Sequence, residues 1–223
     1  SGNTTVQSES GNLTVHFTHL SIINILIIVI FYIYYNLNMN KKYDIKIVQL
    51  PDPVLRKRSH DVPIPLTDED IDLAERMIYH IDDSQTEGTQ FRPGVGVAAV
   101  QYGILKNVFY VFVQDDKGNV LFKDVLFNPR VVAKSNKKIA LDEGEGCLSV
   151  DESWPNQEGY VHRSDRVVVD AYSYYNRKWL RYEVSGYIAI VFQHELDHLD
   201  GHLFIDRISR KDPWKKLPKA KYL

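Results

Sequence analysis

Apolar positions along the chain change texture several times. Leu20 to Tyr35, "LSIINILIIVIFYIYY", is one apolar run broken only by Ser21 and Asn24. From Asp44 the pattern turns globular: "IKIVQL" reads as a short strand and "PDPVLRKRS" as a turn-rich segment. In "PLTDEDIDLAERMIYHIDD", Ile71, Ala74, Ile78 and Ile81 recur at helical spacing. Thr67 can cap that helix, and Asp68, Glu69 and Asp70 sit where the positive helix end favours acids. "SQTEGTQFRPG" has no period and reads as a loop. "NVFYVFV", "DVLFNPRVVA", "RVVVDAYSYY" and "KWLRYEVS" are dense in β-branched and aromatic residues and read as strands. Asp116-Lys117-Gly118-Asn119 and Tyr175-Asn176-Arg177 are the expected hairpin turns. Helical spacing returns from Gly186 to Asp200, with Ile188, Val191, Phe192, Leu196 and Leu199 available to a core and Gly201 as a stop. The pattern predicts an α+β fold, antiparallel β-sheets packed around a central helix. The tail from Arg207 is basic, and Pro213 and Pro218 argue against one long helix there.

The 223 residues suit one domain with a core. The run from Leu20 to Tyr35 is shorter than the ~20 residues of a spanning helix. It also lacks the preceding basic residues and the small-residue cleavage site of a secretory signal. The Ser1-Gly2 opening and a natural-looking start at Met39 lead us to expect that residues 1–38 are a foreign or incidental leader. A membrane anchor or a targeting leader are the alternatives; Lys41 and Lys42 would then keep the following domain in the cytosol. Residues 39–223 are expected to form one domain with a basic C-terminal tail. A formal charge of −2 calls for neither DNA nor an anionic membrane as partner. The single cysteine, Cys147, excludes an intrachain disulfide and fits a reducing, cytoplasmic setting.

Chemistry concentrates in "FQHELDHLDGHLF". His194 and His198, four apart on a helix, share one face and can hold one ion. Glu195 points about 100° away and can reach a water beside that ion. The apolar "YIAIVF" before them implies burial, and a buried cluster of this kind needs compensation. A zinc endopeptidase of the H-E-x-x-H type needs a third ligand; one large class would place a histidine at position 204, which is Phe204. Cys147 in "DEGEGCLSV" offers a thiolate suited to zinc or ferrous iron. It also reads as a buried small residue, or as a nucleophile with one histidine as base. "GVGVAAVQ", Gly94 to Gln101, is small and apolar and ends in an amide. It lacks the third glycine of a dinucleotide loop and the Gly-Lys-Ser/Thr of a phosphate loop.

Taken in order, "GVGVAAVQ", "EGCLS" and "QHELDHLDG" resemble the three motifs of peptide deformylase, a likeness that covers about residues 44–208. "RPGVGVAAVQ" and "LFNP" resemble the form common in Gram-positive bacteria and their wall-less relatives. The resemblance implies a metal-dependent hydrolase that removes the formyl group from N-formyl-methionyl nascent peptides and releases formate. It implies that Cys147, His194 and His198 bind one divalent ion, Fe2+ natively, with Zn2+, Ni2+ or Co2+ able to substitute. Glu195 would be the general acid/base, and the Gln101 side chain and Leu148 N–H would hold the oxyanion. Val95, Gly96 and Gly146 would bind substrate, the first two by pairing with its backbone. Ile190, Val95 and Val97 are expected to line the methionine pocket. Glu145 and Arg163 are expected either to pair under the cysteine loop or to stand as separate surface charges. "DESWPNQEGYVHR" is longer and bulkier than is usual in the family, which bears on substrate preference. A catalytically inactive ribosome-docking module is a further alternative, and the basic tail is a candidate for transient contact with ribosomal RNA.

Overall fold

The computed structural model describes residues 43–223; the leader 1–38 and its apolar run Leu20 to Tyr35 lie outside the described residues. Two α-helices are present among them, α1 (Asp68–Ser84) and α2 (Gly186–Leu199). Five strands form one antiparallel sheet in the order β1 (Gly96–Ala98), β2 (Val108–Gln114), β3 (Val120–Lys134), β6 (Arg166–Ser173) and β7 (Lys178–Ser185). A smaller sheet has the order β5 (Arg163–Ser164), β4 (Lys138–Ala140), β8 (Lys221–Tyr222).

The alternation of β2 explains the layering. Phe109, Val111 and Val113 face α2 and pack with Val191, Phe192 and Leu199. Val108, Tyr110 and Phe112 face α1 and pack with Leu73, Met77 and Ile81. A strand covered on both faces must be apolar at every position, which is why "NVFYVFV" reads as a continuous run. On its other side α2 meets the small sheet, where Gln193 binds both the N–H and the C=O of Ser164 at 3.0 and 2.9 Å. Helix α2 therefore lies between the two sheets, while α1 covers the outer face of the large one.

Three expectations need correction. "IKIVQL" is not a strand; this segment is tied by single bonds, Val48 N–H to the Gln101 carbonyl and Leu50 N–H to the Ser149 carbonyl. It ties the turn at Gln101 to the one at Ser149 and pairs with no strand among the described residues. The sheets are not wholly antiparallel, because β8 runs parallel to β4 at Ile139 and Ala140. The long path from β4 to the tail permits the crossover that parallel pairing requires. On α1, Leu73, Met77 and His80 are buried more deeply than Ile71 and Ile78. Apolar residues spread over a wide arc of this helix, so periodicity alone leaves its rotation loose.

Elsewhere the local signals hold. Thr67 caps α1 in a reciprocal capping box with Asp70. Pro129 sits in β3 at a register shift between Phe127 and Arg130, where its missing N–H costs no ladder bond. Gly201 follows α2 at φ +76, and a Cβ there would lie 2.6 Å from the Arg56 carbonyl oxygen. Only glycine fits both the turn and that close approach.

Candidate metal centre

The end of α2 presents His194 and His198, and the turn after β4 brings in Cys147. One donor atom from each lies within 4.8 Å of the others. Cys147 Sγ is 3.3 Å from His198 Nε2, and the two imidazole centroids are 4.9 Å apart. Phe204, buried beyond the helix stop, stacks against His194 at 6.0 Å between ring centroids.

A chain of ion pairs orients this cluster. His194 Nδ1 meets Glu145 Oε2 at 2.8 Å, which leaves Nε2 for the cluster. Arg163 donates to both oxygens of Glu145 at 2.5 and 2.8 Å, and from its third nitrogen to Asp197 at 3.0 Å. Arg207 donates to both Asp197 oxygens at 2.6 and 2.5 Å. Glu145 and Arg163 are therefore a buried pair, not separate surface charges. Arg207 was legible only as part of a basic tail; its partner, ten residues upstream, lies across the helix stop.

The two histidines of the corner are shifted in opposite directions. Burial opposes protonation of His194, but Cys147 and Glu145 outweigh it and hold its pKa well above the usual value. His198 goes the other way: burial, then the neighbouring His194 charge, push it well below. Glu145 stays ionised, because its Arg163 and His194 contacts outweigh the burial that would raise its pKa. At this site Glu195 Oε2 and His198 Nδ1 are buried with no hydrogen-bond partner among the described residues. One thiol and two imidazoles converging within 4.8 Å, beside an unpartnered carboxyl oxygen, fit a borderline divalent ion.

Glu195 is 3% exposed, and burial pushes its carboxyl up to about 7 against the lowering influence of His194 and Arg163. A Cβ on Gly96 would lie 2.6 Å from Glu195 Oε1, so β1 can pass this close to the carboxyl only as glycine. Gln101 Oε1 accepts from Ala98 N–H at 2.9 Å. That bond turns Nε2 inward, 3.1 Å from Ser149 Oγ and 3.7 Å from Cys147 Sγ. A cavity of about 410 Å³ opens beside these groups, lined among others by Val95, Gly96, Gly146, Leu148 and Ile190. Val97 does not line it. It is fully buried toward α1, because the alternation of β1 sends its side chain to the opposite face. Arg92 and Tyr187 also line the cavity and escaped sequence reasoning, since nothing local marks either one.

The family model for polypeptide deformylase matches residues 45–214. The chain belongs to the peptide deformylase family. A peptide deformylase of Mycoplasmopsis pulmonis is 57% identical over 188 residues, covering 78% of this chain and 95% of that relative. One from Lacticaseibacillus casei is 44% identical over 173 residues, covering 75% and 91%. The crystal structure of peptide deformylase from Ehrlichia chaffeensis matches with a TM-score of 0.62 at 29% identity, covering 76% of this chain and 90% of that one. Peptide deformylases are metal-dependent enzymes that remove the N-terminal formyl group from nascent peptides, so the endopeptidase alternative is left without support. Among the described residues no helix is long and apolar enough to cross a membrane.

Proposed function

We propose that Cys147, His194 and His198 hold one divalent ion, Fe2+ in the native enzyme, with Zn2+, Ni2+ or Co2+ as substitutes. The convergence of these three donors beside the unpartnered Oε2 of Glu195 carries this reading. A bound ion supplies Lewis acidity and makes water a nucleophile at neutral pH. Glu195 takes a proton from the attacking water and delivers one to the leaving amine, so that the formamide C–N bond breaks and formate departs. Gln101 Nε2 and the Leu148 N–H stabilise the oxygen that becomes negative; one such donor contributes roughly 3 kcal/mol. Strand β1 pairs with β2 on one side only; the Val95 carbonyl is taken by the Phe112 N–H at 2.8 Å, so the remaining backbone groups of Val95 and Gly96 are the ones that bond the substrate backbone in this reading. Gly146 keeps the cavity open next to Cys147.

The catalytic domain is residues 39–223, acting in the cytoplasm, with residues 1–38 outside the family likeness. Exposed Lys211, Lys215 and Lys219 on the tail offer a basic surface for transient ribosome contact. The assignment of the metal ligands is tested with Cys147→Ala. Loss of bound metal together with loss of formate release from a formyl-methionyl peptide is expected; full metal content with normal turnover contradicts it.

A further inference from the structure

Arg92 sits in the loop between α1 and β1 and lines the cavity. Its Nη1 donates to the Cys147 carbonyl at 3.0 Å and to the Val150 carbonyl at 3.1 Å. These carbonyls bound a tight turn, closed by Val150 N–H donating to the Cys147 carbonyl at 3.2 Å. Gln49 Nε2 holds the Leu148 carbonyl at 2.7 Å, and Leu50 N–H holds that of Ser149 at 3.0 Å. Ser149 N–H turns back to Cys147 Sγ at 3.4 Å. None of these turn-holding bonds uses the Leu148 N–H.

The Cys147 carbonyl and the Leu148 N–H are the two ends of one planar peptide unit. A cation donating to the oxygen fixes the plane and draws electron density from the nitrogen, which makes the N–H a stronger donor. The outer face of the guanidinium pairs with Glu152 at 3.6 Å, a partner that is 87% exposed, and its charge also reaches Asp151, an exposed carboxylate. So exposed a pair contributes little. The two carbonyls therefore set where the guanidinium lies.

We infer that Arg92 is a positioning residue for the hydrolysis, orienting and polarising the Cys147–Leu148 peptide so that its N–H is aimed at the developing oxyanion. This rests on the Leu148 N–H holding that oxyanion, as proposed above. Arg92 touches neither the metal donors' side chains nor the reacting atoms; it acts through the peptide unit.

The test compares metal-loaded Arg92→Ala, Arg92→Lys and Gln101→Ala on a formyl-methionyl peptide, with metal content measured for each. Removing an oxyanion donor outright costs about 10²–10³ in kcat, so weakening one is expected to lower kcat about tenfold in Arg92→Ala. KM should stay within about twofold, and metal content should be full, because neither depends on the polarity of this peptide. Arg92→Lys, which keeps the charge but not the fork that spans two carbonyls, should recover part of kcat. Added guanidinium should raise the turnover of Arg92→Ala where equal sodium chloride does not. An unchanged kcat per bound metal, or a change in KM alone, overturns the role and leaves Arg92 a wall of the cavity. If Arg92→Ala folds poorly, the same kcat-against-KM criterion is applied to Arg92→Lys, where an undiminished kcat overturns the role equally. A slow Gln101→Ala beside a normal Arg92 variant removes Arg92 alone, whereas a normal Gln101→Ala beside a normal Arg92 variant removes both proposed oxyanion donors and with them the reading itself.

Discussion

Gly96 and Gly146 line the same cavity under opposite constraints. A methyl group on Gly96 collides with Glu195 Oε1 and would also press on Val191, whereas one on Gly146 meets nothing within 4 Å. Gly96→Ala should therefore displace the carboxyl and lower kcat roughly 10- to 100-fold, as misplacement by about 1 Å does. Gly146→Ala should fold normally, keep kcat, and raise KM by narrowing the cavity. Steady-state kinetics on a formyl-methionyl peptide separates the two; equal effects on kcat would refute the distinction. At this scale the sequence disclosed residue types and little of their direction. Cys147, His194 and His198 stood out because their motifs are dense in chemistry. The inward turn of the Gln101 amide depends on Ala98 N–H, and the roles of Arg92 and Arg207 depend on partners that no local pattern marks.

Elements were readable where a local chemical signal agreed with periodicity. Helix α1 begins where Thr67 and the acids after it said it would, and the hairpin turns lie at Gly118 and Arg177, both at positive φ. Loss of the Thr67 hydroxyl leaves an early N–H of α1 without its cap. Thr67→Ala is expected to cost about 1 kcal/mol, seen as a lower thermal midpoint with kcat unchanged. An unaltered midpoint would show that Asp70 and Lys106, paired at 2.6 Å, hold this end without the cap. "IKIVQL" failed as a strand because β-propensity does not supply a partner edge, and Val48 and Leu50 find single carbonyls instead. The parallel β4–β8 pair was equally hidden, since strands of three and two residues carry no usable period.

Over the whole molecule, buried polar groups couple stability to pH. His80 is 2% exposed, its Nδ1 lies 2.9 Å from Tyr102 Oη, and its ring meets Phe91 edge-on at 5.0 Å. Burial lowers its pKa from 6.5 to about 4, with the Asp83 charge partly opposing. The folded protein thus keeps His80 neutral at a pH where the unfolded chain already binds a proton. Stability from this group is complete above 6.5 and declines as pH falls toward 4, by an order of 3 kcal/mol over that window. Urea midpoints at pH 7 and pH 5 should fall further for the wild type than for His80→Gln; parallel declines would place the acid sensitivity elsewhere. The layered arrangement itself, a five-stranded sheet between two helices with a smaller sheet beyond α2, was only half visible in the sequence. The doubly apolar β2 signalled burial on both faces, but which helix covers which face is a property of the assembled fold.

In the mechanism we propose, a metal centre of Cys147, His194 and His198 hydrolyses the formamide bond with Glu195 as its acid and base. The most direct test measures metal content and formate release together for wild type and Glu195→Gln. The expected result is about one ion per chain in both proteins, with turnover in the variant lower by at least about 10². A Glu195→Gln enzyme that keeps its ion and still releases formate at the wild-type rate would contradict it.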